Sequence, residues 1–253
     1  MRRICYKITL IYYEPLGNLT VTGDKMNFID EAEVSKIIEE NKDSLTRYTQ
    51  LLIQANETAR LTGAKDFDTL WQDHIVDSCH IVPLLAKRCS VIDVGTGGGL
   101  PGIVIAITRP DVSVTLLDSI AKKISAVEKI CYLLGLKNVT CVCQRSEEYA
   151  KLKKEKFSVA TARAVTETGT LAEYLAPFVR CEGQVIAFKG PRVVEEIETV
   201  GNKWSALGLA RPQLLPYSYD EKKRYFCIWH KAHNMTNTFP RRVGMAEKFP
   251  WYR

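Results

Sequence analysis

Val91-Ile92-Asp93-Val94-Gly95-Thr96-Gly97-Gly98-Gly99-Leu100-Pro101-Gly102 is the stretch that decides the fold. A short apolar run enters a glycine-rich turn, the pattern of a buried strand opening into a loop. Glycine lets the backbone pass close to a ligand and take conformations other residues avoid. Pro101 stands where a helix should begin, because its fixed φ suits the first helical position.

Two cofactor classes compete for such a turn. A dinucleotide fold needs G-x-G-x-x-G, with a helix N-terminus on the pyrophosphate. Gly97, Gly99 and Gly102 have that spacing, but they start beyond Gly95, where the strand ends. The frame Gly95-x-Gly97-x-Gly99, preceded by Asp93, has the methyltransferase form, in which the loop cradles the amino acid end of S-adenosylmethionine. Asp118 ends the next apolar run, about 20 residues on, where a carboxylate can accept hydrogen bonds from ribose hydroxyls. Both cofactor classes use that device, so a nucleotide-dependent oxidoreductase stays open at this point.

Outward from the loop, strand-like runs recur at Ser90–Gly95, Val112–Asp118, Val139–Cys143, Phe157–Ala162 and Gln184–Lys189. Helical patterns separate them. In Ser119–Leu134, Ile120, Ile124, Val127, Cys131 and Leu134 share a face, with Ser119 placed to cap the start and Gly135 to end it. Strands alternating with helices predict a mostly parallel sheet covered on both faces, with ligands along one edge. Gln213–Tyr219 and Tyr225–Lys231 have only a polar turn between them, which predicts a closing antiparallel hairpin. Upstream, Asn27 to about Leu61 and Phe67 to Ala86 are helical in period. The expected organisation is a possible extension over residues 1–26, a helical N-terminal lobe over 27–87, a Rossmann-like domain over 88–232 and a basic C-terminal tail over 233–253.

The chain has 253 residues and a formal net charge of +6, which permits a nucleic-acid partner without demanding one. The charge is uneven. Met26 to Ser78 is acidic, whereas Lys222, Lys223, Arg224, Lys231, Arg241, Arg242, Lys248 and Arg253 face one acid, Glu247. Such a stretch can sit against phosphates or simply solubilise the chain. The 8 cysteines are scattered and contain no CxxC, so they read as buried reduced thiols in a cytoplasmic protein rather than disulfides or zinc ligands. No run approaches the roughly 18 apolar residues of a membrane span, and no metal site is expected.

After the fourth strand the sequence reads Ala160-Thr161-Ala162-Arg163-Ala164. Methyltransferases of exocyclic base amines commonly carry an Asn/Asp-Pro-Pro-aromatic motif there, and no polar pair is available here to accept amine protons. A ring nitrogen such as guanine N7 needs no such device, because its lone pair is free and positioning suffices. Arg163 is the candidate orienter, through a phosphate or guanine O6, with a salt bridge beside the cofactor as the alternative.

Together these blocks resemble the glucose-inhibited division protein B family, the bacterial 16S rRNA (guanine-N7) methyltransferases. The resemblance runs from about Ser44 to Phe249. It rests on Leu61-Thr62 with His74-Ile75-Val76-Asp77-Ser78, the loop from Asp93 to Ile103, Leu116-Leu117-Asp118-Ser119 with Lys122-Lys123, Arg145-Ser146-Glu147-Glu148, Arg163-Ala164, Lys189-Gly190, and Pro240-Arg241-Arg242 with Gly244. It implies a class I S-adenosylmethionine-dependent methyltransferase, an α/β Rossmann-like fold with a seven-stranded, mostly parallel sheet and a helical N-terminal lobe. It implies S-adenosylmethionine contacts at Gly95, Leu100, Ser146, Glu147 and Arg163, with the Ser146–Glu147 pair around the adenine, beside Asp93, Gly97, Gly99 and Asp118 already read from the loop and the second strand end. It further implies that Lys189, Arg241, Arg242 and Lys248 grip 16S rRNA or the small ribosomal subunit. Two departures stand out. The family often has Asn where this chain has Arg60, and commonly has proline where Gly98 stands.

Overall fold

A computed structural model describes residues 29–253 apart from positions 65, 164, 220, 221 and 237. The possible extension over residues 1–26 and Cys5 lie outside the described residues. Seven strands form one sheet: β1 (Ser90–Val94), β2 (Ser113–Asp118), β3 (Val139–Cys143), β4 (Phe157–Arg163), β5 (Val179–Lys189), β6 (Gln213–Tyr219) and β7 (Lys222–His230). Their order is β3-β2-β1-β4-β5-β7-β6. Strands β1 to β5 run parallel, and β7 is antiparallel to both β5 and β6. The expected hairpin forms, with its second strand inserted against the parallel sheet. The chain order reverses at β1, whose neighbours are β2 and β4, and this places a ligand crevice beyond the C-terminal ends of these strands.

Side chains alternate faces along each strand. Val91, Val114, Leu116, Ile186 and Phe226 point to one core cluster, and Ile92, Leu117, Val185, Cys227 and Trp229 to another. The first face is covered by α1 (Glu31–Glu40), α2 (Lys42–Ala59), α3 (Phe67–Leu70), a π-helical turn at Trp71–Val76 and α4 (Asp77–Cys79). It is completed by α5 (Gly102–Thr108) and α6 (Ala121–Leu133). The second is covered by α7 (Ser146–Leu152), α8 (Thr168–Leu175), α9 (Val193–Val200) and the chain end with α10 (Met245–Lys248).

Several expectations shift. The first helical stretch is two helices broken at Asn41, whose amide donates to Ile37 O at 2.9 Å. Ser119 does not cap the next predicted helix. Asp118 Oδ1 instead accepts from Ile120 N at 3.0 Å, and α6 starts two positions after Ser119. Gly135 does end it, in a left-handed conformation, with Leu136 N bonded back to Cys131 O. Leu45, Tyr48, Leu52 and Ile75 share one cluster with Val91 and Leu116, so the helical lobe covers the sheet's own core. Residues 233–253 are no free tail: Met235, Phe239 and Tyr252 are buried in the opposite cluster. The described cysteines are all free, but Cys143 and Cys181 are exposed rather than buried.

Candidate functional site

The glycine loop turns because its backbone is tied to neighbours at each step. Gly95 N and Thr96 N both donate to Leu117 O, at 2.8 and 3.0 Å, pulling the chain across the end of β2. Gly95 has φ +71, and a Cβ there would lie 3.1 Å from Val165 Cγ2, so glycine suits both its backbone conformation and its space. At Gly102 the reason is close packing, since a Cβ would lie 2.1 Å from Leu116 Cδ2. Asp93 is fully buried and clasps both sides of the loop, its Oδ2 accepting from Thr96 Oγ1 at 2.6 Å and Gly102 N at 2.9 Å. Burial pushes its carboxyl up to about 6, against the pull of those hydrogen bonds. From the lobe, Tyr48 donates its hydroxyl to Gly98 O at 2.9 Å.

This wiring separates the two cofactor classes. Gly102 N opens α5 and is taken by Asp93, while Gly97 N is taken by Asp118 Oδ2 at 3.0 Å. Two carboxylates therefore sit on the loop donors that a pyrophosphate would need. They repel an anion and favour a ligand with cationic groups. Asp93 Oδ1 is buried with no hydrogen-bond partner, an acceptor suited to an ammonium or an ordered water. The residues fit S-adenosylmethionine, with its ammonium and sulfonium, better than a dinucleotide.

Beyond the strand ends lies a cavity with about 320 Å³ of free volume. Gly95, Asp118, Ser119, Ser146, Glu147, Val165 and Tyr174 are among its lining residues. Asp93, Gly97, Gly99 and Leu100 do not line it. Asp93 and Gly97 shape the loop from behind, Gly99 N donates to Thr96 O at 2.8 Å, and Leu100 is buried in the core beneath. The chain end forms part of the cavity wall through Val243, Gly244 and Glu247, residues that sequence reading did not place here. Glu147 Oε2 accepts from Ser146 Oγ at 3.0 Å and Oε1 from Gly244 N at 3.1 Å, so the implied adenine-side pair also anchors the chain end. Tyr174 donates to Glu247 at 3.2 Å, and Trp251 Nε1 to Gly169 O at 2.9 Å. The signal for this strap was Gly244, whose φ of +79 favours glycine after Arg242 and Val243.

Arg163 ends β4 and turns its guanidinium toward the lobe. Nη1 lies 3.3 Å from Asp77 Oδ2 and donates to Asp73 O, and Nη2 lies 2.6 Å from His74 Nδ1. Asp77 is fully buried and also accepts from Tyr217 at 2.9 Å, with Arg224 Nε at 3.4 Å. Burial, with the Arg163 charge beside it, holds His74 down at about 4. The salt-bridge alternative for Arg163 thus describes its contacts here.

A model of the family described as "GidB: rRNA small subunit methyltransferase G" matches residues 41–223. The chain belongs to the GidB family. Curated relatives carrying the name ribosomal RNA small subunit methyltransferase G include that of Moorella thermoacetica, 35% identical over 80% of this chain and 87% of the relative. That of Petrotoga mobilis is 32% identical over 84% of this chain and 96% of the relative. Among solved structures, cofactor-bound Rv0187 from MTB aligns with a TM-score of 0.53 at 13% identity, over 74% of this chain and 90% of that one. That likeness is one of fold. The architecture is that of the class I S-adenosylmethionine-dependent methyltransferases.

The departures at Arg60 and Gly98 have local explanations. Arg60 caps α2 in the left-handed conformation (φ 49, ψ 58), where Asn is far better tolerated than a long side chain. Asn56 holds the turn after it, Oδ1 accepting from Leu61 N at 2.6 Å and Thr62 N at 2.9 Å. At Gly98 an added Cβ would fall 2.9 Å from Leu52 Cδ1, so Leu52 occupies space a proline ring would need.

The four cations implied to bind RNA divide into two kinds. Lys189 is bound to Glu196 at 2.6 Å and to Thr166 O at 3.0 Å, where it holds the chain after β4. Arg241 makes a two-pronged bond to buried Glu173, both contacts 2.6 Å. In this structure these two are internal partners rather than free cations. Arg242 and Lys248 are exposed, with no side-chain ion pair among the described residues. No described helix is long and apolar enough to cross a membrane, and no group of three His, Cys, Asp or Glu among the described residues is placed to hold a metal.

Proposed function

We propose that this chain transfers the methyl group of S-adenosylmethionine to N7 of a guanosine in 16S rRNA of the small subunit. One observation carries the choice of acceptor atom: among the described residues, the end of β4 offers no free general base. Asp77 is held by Arg163, Arg224 and Tyr217, and the His74 Nδ1 lone pair faces Arg163. An acceptor that must lose a proton finds no taker there, whereas a ring nitrogen with a bare lone pair needs none. When bound, S-adenosylmethionine supplies an electrophilic methyl group on a sulfonium. Gly95 faces its amino acid end, Asp118 accepts from its ribose hydroxyls, and Ser146 with Glu147 borders its adenine. Asp118 and the clasped Asp93 add negative charge that favours the sulfonium. Arg163 locks the lobe to the end of β4 and so fixes the entrance for the base. Arg242 and Lys248 supply sequence-independent contacts to phosphates.

The test follows labelled methyl from S-adenosylmethionine into small subunits lacking N7-methylguanosine. Reduction and strand scission then locate the label, because N7-methylated guanine is cut. The expected result is label at one guanosine, lost in Arg163→Ala. Cofactor binding without incorporation into rRNA overturns the reading and favours a small-molecule acceptor.

A further inference from the structure

The hydrogen bonding at the end of β4 dictates the tautomer of one histidine. Arginine carries donors only. Arg163 Nη2, 2.6 Å from His74 Nδ1, must therefore donate, and Nδ1 must present its lone pair. The ring proton of the neutral imidazole then resides on Nε2. Arg163 is itself fixed by the fully buried Asp77 carboxylate at 3.3 Å and by Asp73 O at 3.3 Å, so the chain Asp77–Arg163–His74 is directional. His74 Nε2 makes no hydrogen bond to a described residue, and the ring is part-exposed. The charged and titratable groups around it are Asp73 and Asp77 on its own segment, Arg163 on β4 and Arg224 on β7. Burial and Arg163 hold His74 well below its ordinary range, so it stays neutral at physiological pH.

The place matters as much as the proton. Arg163 stands two residues before Val165, which lines the cofactor cavity and sits against Gly95. Neither Arg163 nor His74 lines that cavity, but the Arg163 charge acts on Asp93 and Tyr48, the two side chains that clasp the glycine loop, so His74 holds a fixed neutral donor next to the loop's own supports. Guanine offers two acceptors side by side on this edge, N7 and O6, whereas adenine offers N7 beside an amino donor. An acceptor at N7 must stay free for methylation, which leaves O6 to be recognised by a donor.

We propose that His74 is a specificity-determining residue that donates from Nε2 to O6 of the target guanine. Arg163, assigned above to hold the entrance, acts on the base through His74 rather than by touching it. The inference rests on the guanosine-N7 reading. His74 would reject adenine, whose amino group meets the Nε2 proton donor to donor.

The experiment is a cycle of protein and base changes, read as kcat/KM for methyl transfer to small-subunit rRNA. The target guanosine is replaced by 2-aminopurine ribonucleoside, which keeps N7 and lacks O6. Wild type should slow about 10- to 100-fold on the analogue, the loss expected for one buried hydrogen bond in the transition state. His74→Phe should slow about as much on guanosine and show no further loss on the analogue, with cofactor affinity unchanged. His74→Gln should keep most of the rate, because its carbonyl can accept from Arg163 while its amide donates to O6. The proposal is overturned if His74→Phe binds cofactor normally yet suffers the full analogue penalty, or methylates guanosine like wild type. Failure of wild type to methylate guanosine N7 at all is a separate outcome, and it removes the reading on which the proposal stands.

Discussion

Arg241 and Arg242 are adjacent, carry the same charge, and should respond oppositely to truncation. Arg241 forms a fork on Glu173, whose side chain is 3% exposed, with both contacts at 2.6 Å. Removing the guanidinium strands a buried carboxylate, which costs about 3–5 kcal/mol in comparable pairs. The Arg241 side chain is 17% exposed, so some water can reach the gap and about 3 kcal/mol is the better figure. For a chain of this size that lowers Tm by roughly 6–12 °C. Glu173 lies on α8 beside Tyr174, so the cavity wall built by Val243 and Gly244 should loosen and cofactor affinity should fall with stability. Arg242→Ala removes no described bond and should leave Tm within about 2 °C, since surface changes stay within about 0.5 kcal/mol. Its effect should appear instead in RNA binding, as a slope of log K against log salt shallower by about one. Urea and thermal unfolding, paired with RNA titrations at several salt concentrations, separate the two. The reasoning fails if Arg241→Ala unfolds like wild type while lowering the salt slope, because the arginine would then be a phosphate ligand. Adding Glu173→Gln to Arg241→Ala should recover part of the lost stability, which a phosphate role would not produce.

Three further outcomes follow from the geometry. Arg60→Asn should raise stability by about 0.5–1 kcal/mol by relieving a left-handed non-glycine residue, read as a higher urea midpoint at unchanged slope; no gain would mean the Arg60 side chain has a compensating role. Asp118→Ala should weaken S-adenosylmethionine binding about 10- to 100-fold in calorimetry, because the ribose acceptor and the anchor of Gly97 N are lost together; unchanged affinity would remove Asp118 from the site. Asp93 gives a pH signature. Its folded carboxyl sits near 6, above the unfolded value, so the folded state binds that proton more tightly. The associated stability is complete below about pH 4 and is lost as pH rises through 6, a change on the order of 3 kcal/mol. Asp93→Asn should flatten this part of the wild-type curve between pH 4 and 7, and an unaltered curve would show that Asp93 is not the group responsible.

Most of the sheet was legible because buried parallel strands announce themselves as short apolar runs. Val139–Cys143 and Gln213–Tyr219 were bounded as found, while β5 begins at Val179, five residues before the predicted start. Its early residues Arg180, Cys181 and Glu182 are exposed and carry no apolar pattern to read. The glycine loop was legible for the same reason, since its backbone demands are local. Longer-range roles were not. Nothing near Arg163 in sequence reveals a partner at His74, 89 positions earlier, and nothing near Arg241 reveals Glu173, 68 positions earlier. Charge density at the chain end suggested free cations, yet an arginine beside buried Glu173 is drawn inward by the carboxylate it neutralises.

The same contrast explains how the site is assembled. The loop supplies shape from contiguous residues, but the surrounding walls come from distant elements tied in by directional bonds, among them Tyr48 to Gly98, Arg163 to His74 and Gly244 to Glu147. The side-chain ends of these bonds are supplied by Tyr48, His74 and Glu147. Of these, only His74 retains a polar atom without a described partner, which is why specificity is assigned to it and structural clamping to the other two.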